Sequence, residues 1–570
     1  MSRPMFRARV LFLVGLFALE IAISGCGHDQ QSGTPDPTSP AVKQAGASPL
    51  GTEDVLTYHN DNARTGQYLS ERILTTANVN AASFGKVSFL RVQGRVDAEP
   101  LYVSNVNMAG AGHRVVFVVT EHDLAYAFDA DNYSQLWKAS LLGMGETTSD
   151  ARNCGQVAPE IGITSTPVID AKAGPHGTIY IVAMSKDRGG KYFQRLHALD
   201  LASGAELPGS PQTISASFPG TGAGSKNGNV LFDPKQYEER AALLLLNGAI
   251  YTTWSSHCDE DPYTGWVIAY SATTLKQAAV LNLTPNGNEG STWMSGDGPA
   301  ADSSGNIYLL TANGTFETSL DPNGFPSRSD FGNAFVRITA SGGKLRVADY
   351  FTMHDTISES NTDEDLGSGG IILLPDLKDN SGQNRHVAVG AGKDQIIYVA
   401  DRDSLGKFNP TADKIYQEIP GELDGLQFAT PAYFNNVVYY GAVRDSLKAF
   451  PVTNARLANA PSSQTAAKFE YPGTTPSVSA NGTSNGIVWA VEPAGTAGES
   501  DDLAGFLHAY DAANLAKELY GSAQSGAGAR FADNKFITPM IAGGKVFVGT
   551  PTGVIVFGLL KSVTAVPAKP

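Results

Sequence analysis

Residues 114–137 read RVVFVVTEHDLAYAFDADNYSQLW, and this stretch decides the fold class. A β-branched and aromatic run (Val115 to Thr120) is broken by the polar turn Glu121-His122-Asp123. A second apolar run follows (Leu124 to Phe128), closed by Asp129-Ala130, and a further strand opens at Leu136-Trp137. Apolar runs of this length between polar turns are strands, and no helical period fits them.

Working outward, the same unit recurs along the chain. A first strand opens near Thr-Pro or its equivalent, a Gly/Asn turn leads to a Val/Ile/Tyr-rich second strand, and a polar turn leads to a third strand ending like Ala-Tyr-Asp. Openings fall near Pro100, Pro167, Ala242, Pro299, Gly369, Pro431, Pro476 and Pro539. The reading is an all-β chain: a single β-propeller of about eight four-stranded blades, with seven as the alternative count. The unit from Phe536 to Leu560 lacks a strand, and Lys86 to Val92 can supply it, so strands from both ends of the chain close the ring.

The propeller is expected to span residues 52–562, before a disordered tail at 563–570. Ahead of it, Arg3, Arg7 and Arg9 precede the apolar run Val10–Leu19, the order of an export signal. That run is too short to cross a bilayer. It ends in Ile23-Ser24-Gly25-Cys26, which resembles the lipobox of bacterial lipoproteins and implies cleavage after residue 25 and lipidation of Cys26. Residues 26–51 are rich in Gln, Ser, Thr, Pro and Gly and read as a flexible tether. The expected location is the bacterial cell envelope, with a lipid anchor as the only membrane attachment, at the outer membrane because Gly27 follows the cysteine.

The formal charge is −15, and loss of residues 1–25 removes three arginines and one glutamate, leaving −17. Nucleic acid is therefore not expected as a partner. With Cys26 lipidated, Cys154 and Cys258 remain as a pair in an oxidising compartment, which predicts a disulfide. No Cys-x-x-Cys-His occurs, so no c-type haem is attached and electrons from any oxidation must leave through a separate acceptor.

Antiparallel pairing puts every second-to-third-strand turn on the face that carries the blade-to-blade connections. Polar residues of varied chemistry gather there: Glu121, His122, Glu160, Asp259, Glu260, Asn313, Asp365 and Lys393, with Trp293 among them.

In this arrangement the sequence resembles the quinoprotein alcohol dehydrogenases, eight-bladed propellers that hold pyrroloquinoline quinone (PQQ) and calcium on one face. The likeness runs from Tyr58 to Phe557. Gly290-Ser291-Thr292-Trp293 is similar to the approach to the tryptophan on which the quinone stacks. Glu260, ahead of Gly265-Trp266-Val267-Ile268-Ala269-Tyr270, resembles the calcium-binding glutamate, and Asn313 in Thr311-Ala312-Asn313-Gly314 resembles the calcium-binding asparagine. Asp365, ahead of Leu374-Pro375-Asp376, resembles the catalytic aspartate, which also binds the cation and accepts the alcohol proton. Lys393, opening Lys393-Asp394-Gln395-Ile396-Ile397-Tyr398-Val399-Ala400-Asp401-Arg402, is similar to the basic residue that reaches the quinone oxygens. Asp97 resembles a glutamate that touches the cofactor.

The departures are the single cysteine, Cys154, where the family has two adjacent ones, and Ala158-Pro159-Glu160 where an arginine should follow. The resemblance implies a PQQ- and calcium-dependent dehydrogenase acting on a small polar alcohol or sugar. Two other functions compete with it: a noncatalytic ligand-binding or envelope scaffold propeller, and a carbohydrate-active hydrolase or lyase using Glu121, His122 and Glu160 as acid and base.

Overall fold

The computed structural model describes residues 53–152, 154–493, 504–525, 531–532 and 534–560. The signal sequence, Cys26, the tether and the tail lie outside the described residues. About 4% of the chain is helical and 46% is strand, arranged as eight blades.

Each blade is one antiparallel sheet. The innermost strands are Leu101–Met108, Val168–Asp170, Leu244–Leu246, Ala300–Ala301, Ile371–Leu373, Ala432–Phe434, Ser477–Asn481 and Met540–Ala542, for blades 1 to 8. Every one begins one or two residues after an opening read from the sequence. Six of the eight openings are prolines directly before the strand, where a missing N–H costs no ladder bond. The count is eight, so seven blades is corrected. The eighth sheet is completed by Phe84–Arg91, which pairs antiparallel with Gly553–Leu559.

Strands near the ring axis are covered on both faces by neighbouring blades, which is why they read as unbroken apolar runs: Val115 to Val119 are all buried. The aspartate that ends many third strands has a local job. Asp129, Asp200, Asp401 and Asp511 each accept the N–H two residues on, at 2.9–3.1 Å, and so fix the turn into the fourth strand. Trp137 docks blade 1 on blade 2 by donating its indole N–H to the carbonyl of Leu201 at 2.8 Å.

The segment from Val55 to Glu71 threads the inner edge of the ring and bonds to every blade. Val55 pairs with Tyr102, and the carbonyls of Leu56, Asn62, Ala63, Thr65 and Gly66 accept N–H groups of Ile169, Ala301, Leu373, Tyr433 and Val478. Asn62 donates its side chain to Leu245 O at 2.9 Å, and Glu71 accepts from Gly544 N at 3.1 Å. Arg64, fully buried, donates to the carbonyls of Leu243 and Pro299, where the chain enters blades 3 and 4. This girdle has no counterpart in the repeat and was not anticipated.

Candidate functional site

The connections and second-to-third-strand turns enclose a cavity of about 600 Å³. One side is aromatic. Trp293 packs against Phe428 at 6.0 Å between ring centroids and edge-on to Phe536 at 5.9 Å, while Tyr471 meets Phe428 at 5.5 Å. These rings come from the connections entering blades 4, 6, 8 and 7. Trp293 is held beside the Asn313 turn because Gly290 donates its N–H to Asn313 O at 2.6 Å. A Cβ on Gly314 would stand 2.3 Å from Gly290 N, so the contact needs a glycine there.

Next to the rings lies an ionic cluster. Lys393 Nζ is 2.7 Å from Asp365 Oδ1 and 2.5 Å from Asp363 Oδ1, and Asn313 Nδ2 donates to Asp363 Oδ1 at 2.7 Å. Apart from the ion pair, neither Asp365 oxygen is hydrogen-bonded, and Asn313 Oδ1 has no partner either, although all three are buried. Burial pushes the Asp365 carboxyl up to about 6; Lys393 opposes this, and the nearby Asp363 and Asp259 carboxylates add to it. For Lys393, burial acts against the charge, but Asp365 and Asp363 outweigh it and push the ammonium up to about 12. The pair is therefore ionised at neutral pH.

The sequence-derived residues thus divide. Trp293, Asp97, Asn313, Asp365 and Lys393 line the one cavity. Glu260 does not join Asn313 and Asp365. Its carboxylate pairs with Arg152 at 3.0 Å, and Asp259 takes the place on the cavity wall. The cause is the Cys154–Cys258 disulfide, with Cα atoms 5.4 Å apart, which brings the strand end carrying Arg152 against the turn carrying Glu260. Among the described residues, no group of three or more His, Cys, Asp and Glu is gathered to hold a metal ion. The oxygens that could serve a cation are the unpartnered ones of Asn313 and Asp365.

The proposed acid and base trio is not assembled. His122 Nδ1 lies 3.0 Å from the Glu160 carboxylate, outside the cavity lining. Glu121 is buried, accepts from Gly162 N at 2.7 Å, and shares a hydrogen bond with Asp97, burial and that neighbour together pushing it well above the usual carboxylate range.

Sequence reading missed Glu238, Arg240, Thr164, Phe428, Tyr471 and Phe536, all cavity-lining. For two of these a signal existed: Phe428 and Phe536 each stand three residues before an opening proline, in Phe-Ala-Thr-Pro and Phe-Ile-Thr-Pro.

No protein-family model matches the chain, and no curated protein matches it. Among solved structures it is similar to the quinohemoprotein alcohol dehydrogenase of Comamonas testosteroni, with a TM-score of 0.58 and 15% identity, covering 90% of this chain and 81% of that one. It is also similar to a quinohemoprotein alcohol dehydrogenase of Pseudomonas putida HK5, with a TM-score of 0.55 and 14% identity, covering 91% and 82%. At that identity, what the chain shares with them is the fold, an eight-bladed β-propeller.

Proposed function

We propose that the protein is an exported, lipid-anchored dehydrogenase that oxidises an alcohol or sugar, using PQQ and calcium held in the cavity. The observation that carries this reading is Asp365: a buried carboxylate whose one charged contact at hydrogen-bond distance is the Lys393 ammonium, in a cavity walled by Trp293. A carboxylate held ionised in this way, on a cavity wall, can accept a hydroxyl proton. A bound quinone would supply the hydride acceptor. Trp293 offers an aromatic face to a flat ring, Asn313 and Asp365 offer oxygens to the cation, and Asp97 lines the same cavity. Lys393 holds Asp365 ionised and presents positive charge towards the ligand. Electrons then pass to a separate acceptor protein. Cys26 is acylated, and the anchor places the protein at the outer membrane.

Calorimetric titration of the purified chain with PQQ and calcium, followed by dye-linked oxidation of alcohols and sugars, tests the reading. Absence of both binding heat and dye reduction would leave a noncatalytic binding propeller.

A further inference from the structure

The cavity has a second polar wall, on the connections into blades 2 and 3, that the dehydrogenase reading does not use. Glu238, Arg240 and Thr164 line it, and only 3%, 8% and 5% of their surfaces are exposed. The Glu238 and Thr164 side chains lie within reach of each other, and beyond that mutual contact Glu238 Oε1 and Thr164 Oγ1 are buried without a hydrogen-bond partner. The Arg240 guanidinium lies over the Phe536 ring, 5.4 Å from its centroid, and makes one hydrogen bond among the described residues, 3.4 Å to Thr164 O. It is seated there because residue 296 is a glycine at φ +99°, where a Cβ would stand 2.9 Å from Nη1. The Glu238 carboxylate and the guanidinium interact but form no contact ion pair, so each keeps capacity facing the cavity.

We propose that Glu238, Arg240 and Thr164 form a subsite for adjacent hydroxyl groups of a neutral polyol or sugar. A hydroxyl both donates and accepts, so a vicinal diol is satisfied by an acceptor beside a donor, which is what this wall offers. At this wall Glu238 disfavours an anionic group and Arg240 a cationic one, which leaves neutral hydroxyls. The flanking Phe536 and Trp293 rings suit the C–H face of a sugar. A monofunctional alcohol would displace water from these groups and leave them unpaired, which sites of this kind penalise.

The inference rests on the dehydrogenase reading only for what becomes of the ligand, so its test contains no quinone. Saturation-transfer NMR and calorimetry on the full chain, with D-sorbitol, D-glucose and 1-butanol as probes, should show binding of the first two and none of the third. Glu238→Gln and Arg240→Met should each weaken sorbitol binding about tenfold, the worth of one charge-assisted hydrogen bond. If thermal melting shows that either variant fails to fold, Thr164→Val, which removes only the hydroxyl, carries the same expectation of weakened binding. Equal binding of 1-butanol and sorbitol, no binding of any polyol to the folded chain, or unchanged affinity in the folded variants would overturn the proposal. None of those results touches quinone binding, and a failed quinone titration leaves the polyol result standing.

Discussion

Lys393 Nζ bridges two carboxylates of opposite exposure, Asp365 with a 1% exposed side chain at 2.7 Å and Asp363 with a 66% exposed one at 2.5 Å. The buried partner depends on the bridge for its charge. A base must be unprotonated to act, so kcat/KM should fall towards acid pH as Asp365 gains its proton, at a pKa that burial raises and that Lys393 and a bound cation lower. Lys393→Met removes the opposing charge, and the acidic limb of the profile should move to higher pH. A limb that stays in place would mean that another group sets it.

Asp365→Asn should lower turnover by about 10²–10⁴-fold while leaving PQQ binding measurable by calorimetry, because an amide offers an oxygen but cannot take the proton. Trp293→Ala should do the reverse and weaken cofactor binding by roughly threefold to tenfold, from the loss of one stacked ring. Identical behaviour of the two variants would remove the separation of roles.

The Cys154–Cys258 bond closes a loop across 104 positions. Replacing both cysteines by serine should lower unfolding stability by about 2–4 kcal/mol in urea titrations. Neither thiol should react with an alkylating reagent in the unreduced, denatured wild type. Full alkylation of both would rule the bond out.

Glu99 is buried, and burial pushes its carboxyl up to about 8, against the N–H donated by His59 and the charge of Arg64. The unfolded chain releases this proton near pH 4.5, whereas the folded chain keeps it to about 8. Between those values the folded state holds more protons, so this group favours folding less as pH rises from 4.5 to 8. Glu99→Gln should flatten the decline of melting temperature over that window in scanning calorimetry. An unchanged slope would show that Glu99 is ionised in the fold.

Cys26→Ala should release the protein from membranes into the soluble envelope fraction, and palmitate should label only the wild type. A wild type that takes up no palmitate would refute the anchor.

Blade number was legible because openings are written locally, as a proline in six of the eight blades, four of them in Thr-Pro, and as the aspartate that ends the third strand of four. Trp293, Asn313, Asp365 and Lys393 were legible because they follow one another in blade order on one face. Glu260 is turned from the cavity that its neighbour Asp259 lines. The chain turns left-handed at Cys258 and Asp259, with φ near +51° and +53°, so strand alternation no longer says which side chain faces inward. Its competitor, Arg152, comes from more than 100 residues upstream. Glu238 and Arg240 belong to no local motif, and only the closed ring gives them a common wall.

The girdle ties order of synthesis to order of assembly. Tyr58, among the first residues of the propeller to be made, hydrogen-bonds Thr538, 480 residues later, and Glu71 receives the N–H of Gly544. The early blades find their girdle partners already made, but the girdle is filled and the ring closed only when blade 8 exists. A chain stalled or cut before blade 8 would carry a girdle with empty positions and no partner for Phe84–Arg91. Ring closure is thus the last step open to the chain, since the contacts that lock it are made by the last residues to become available.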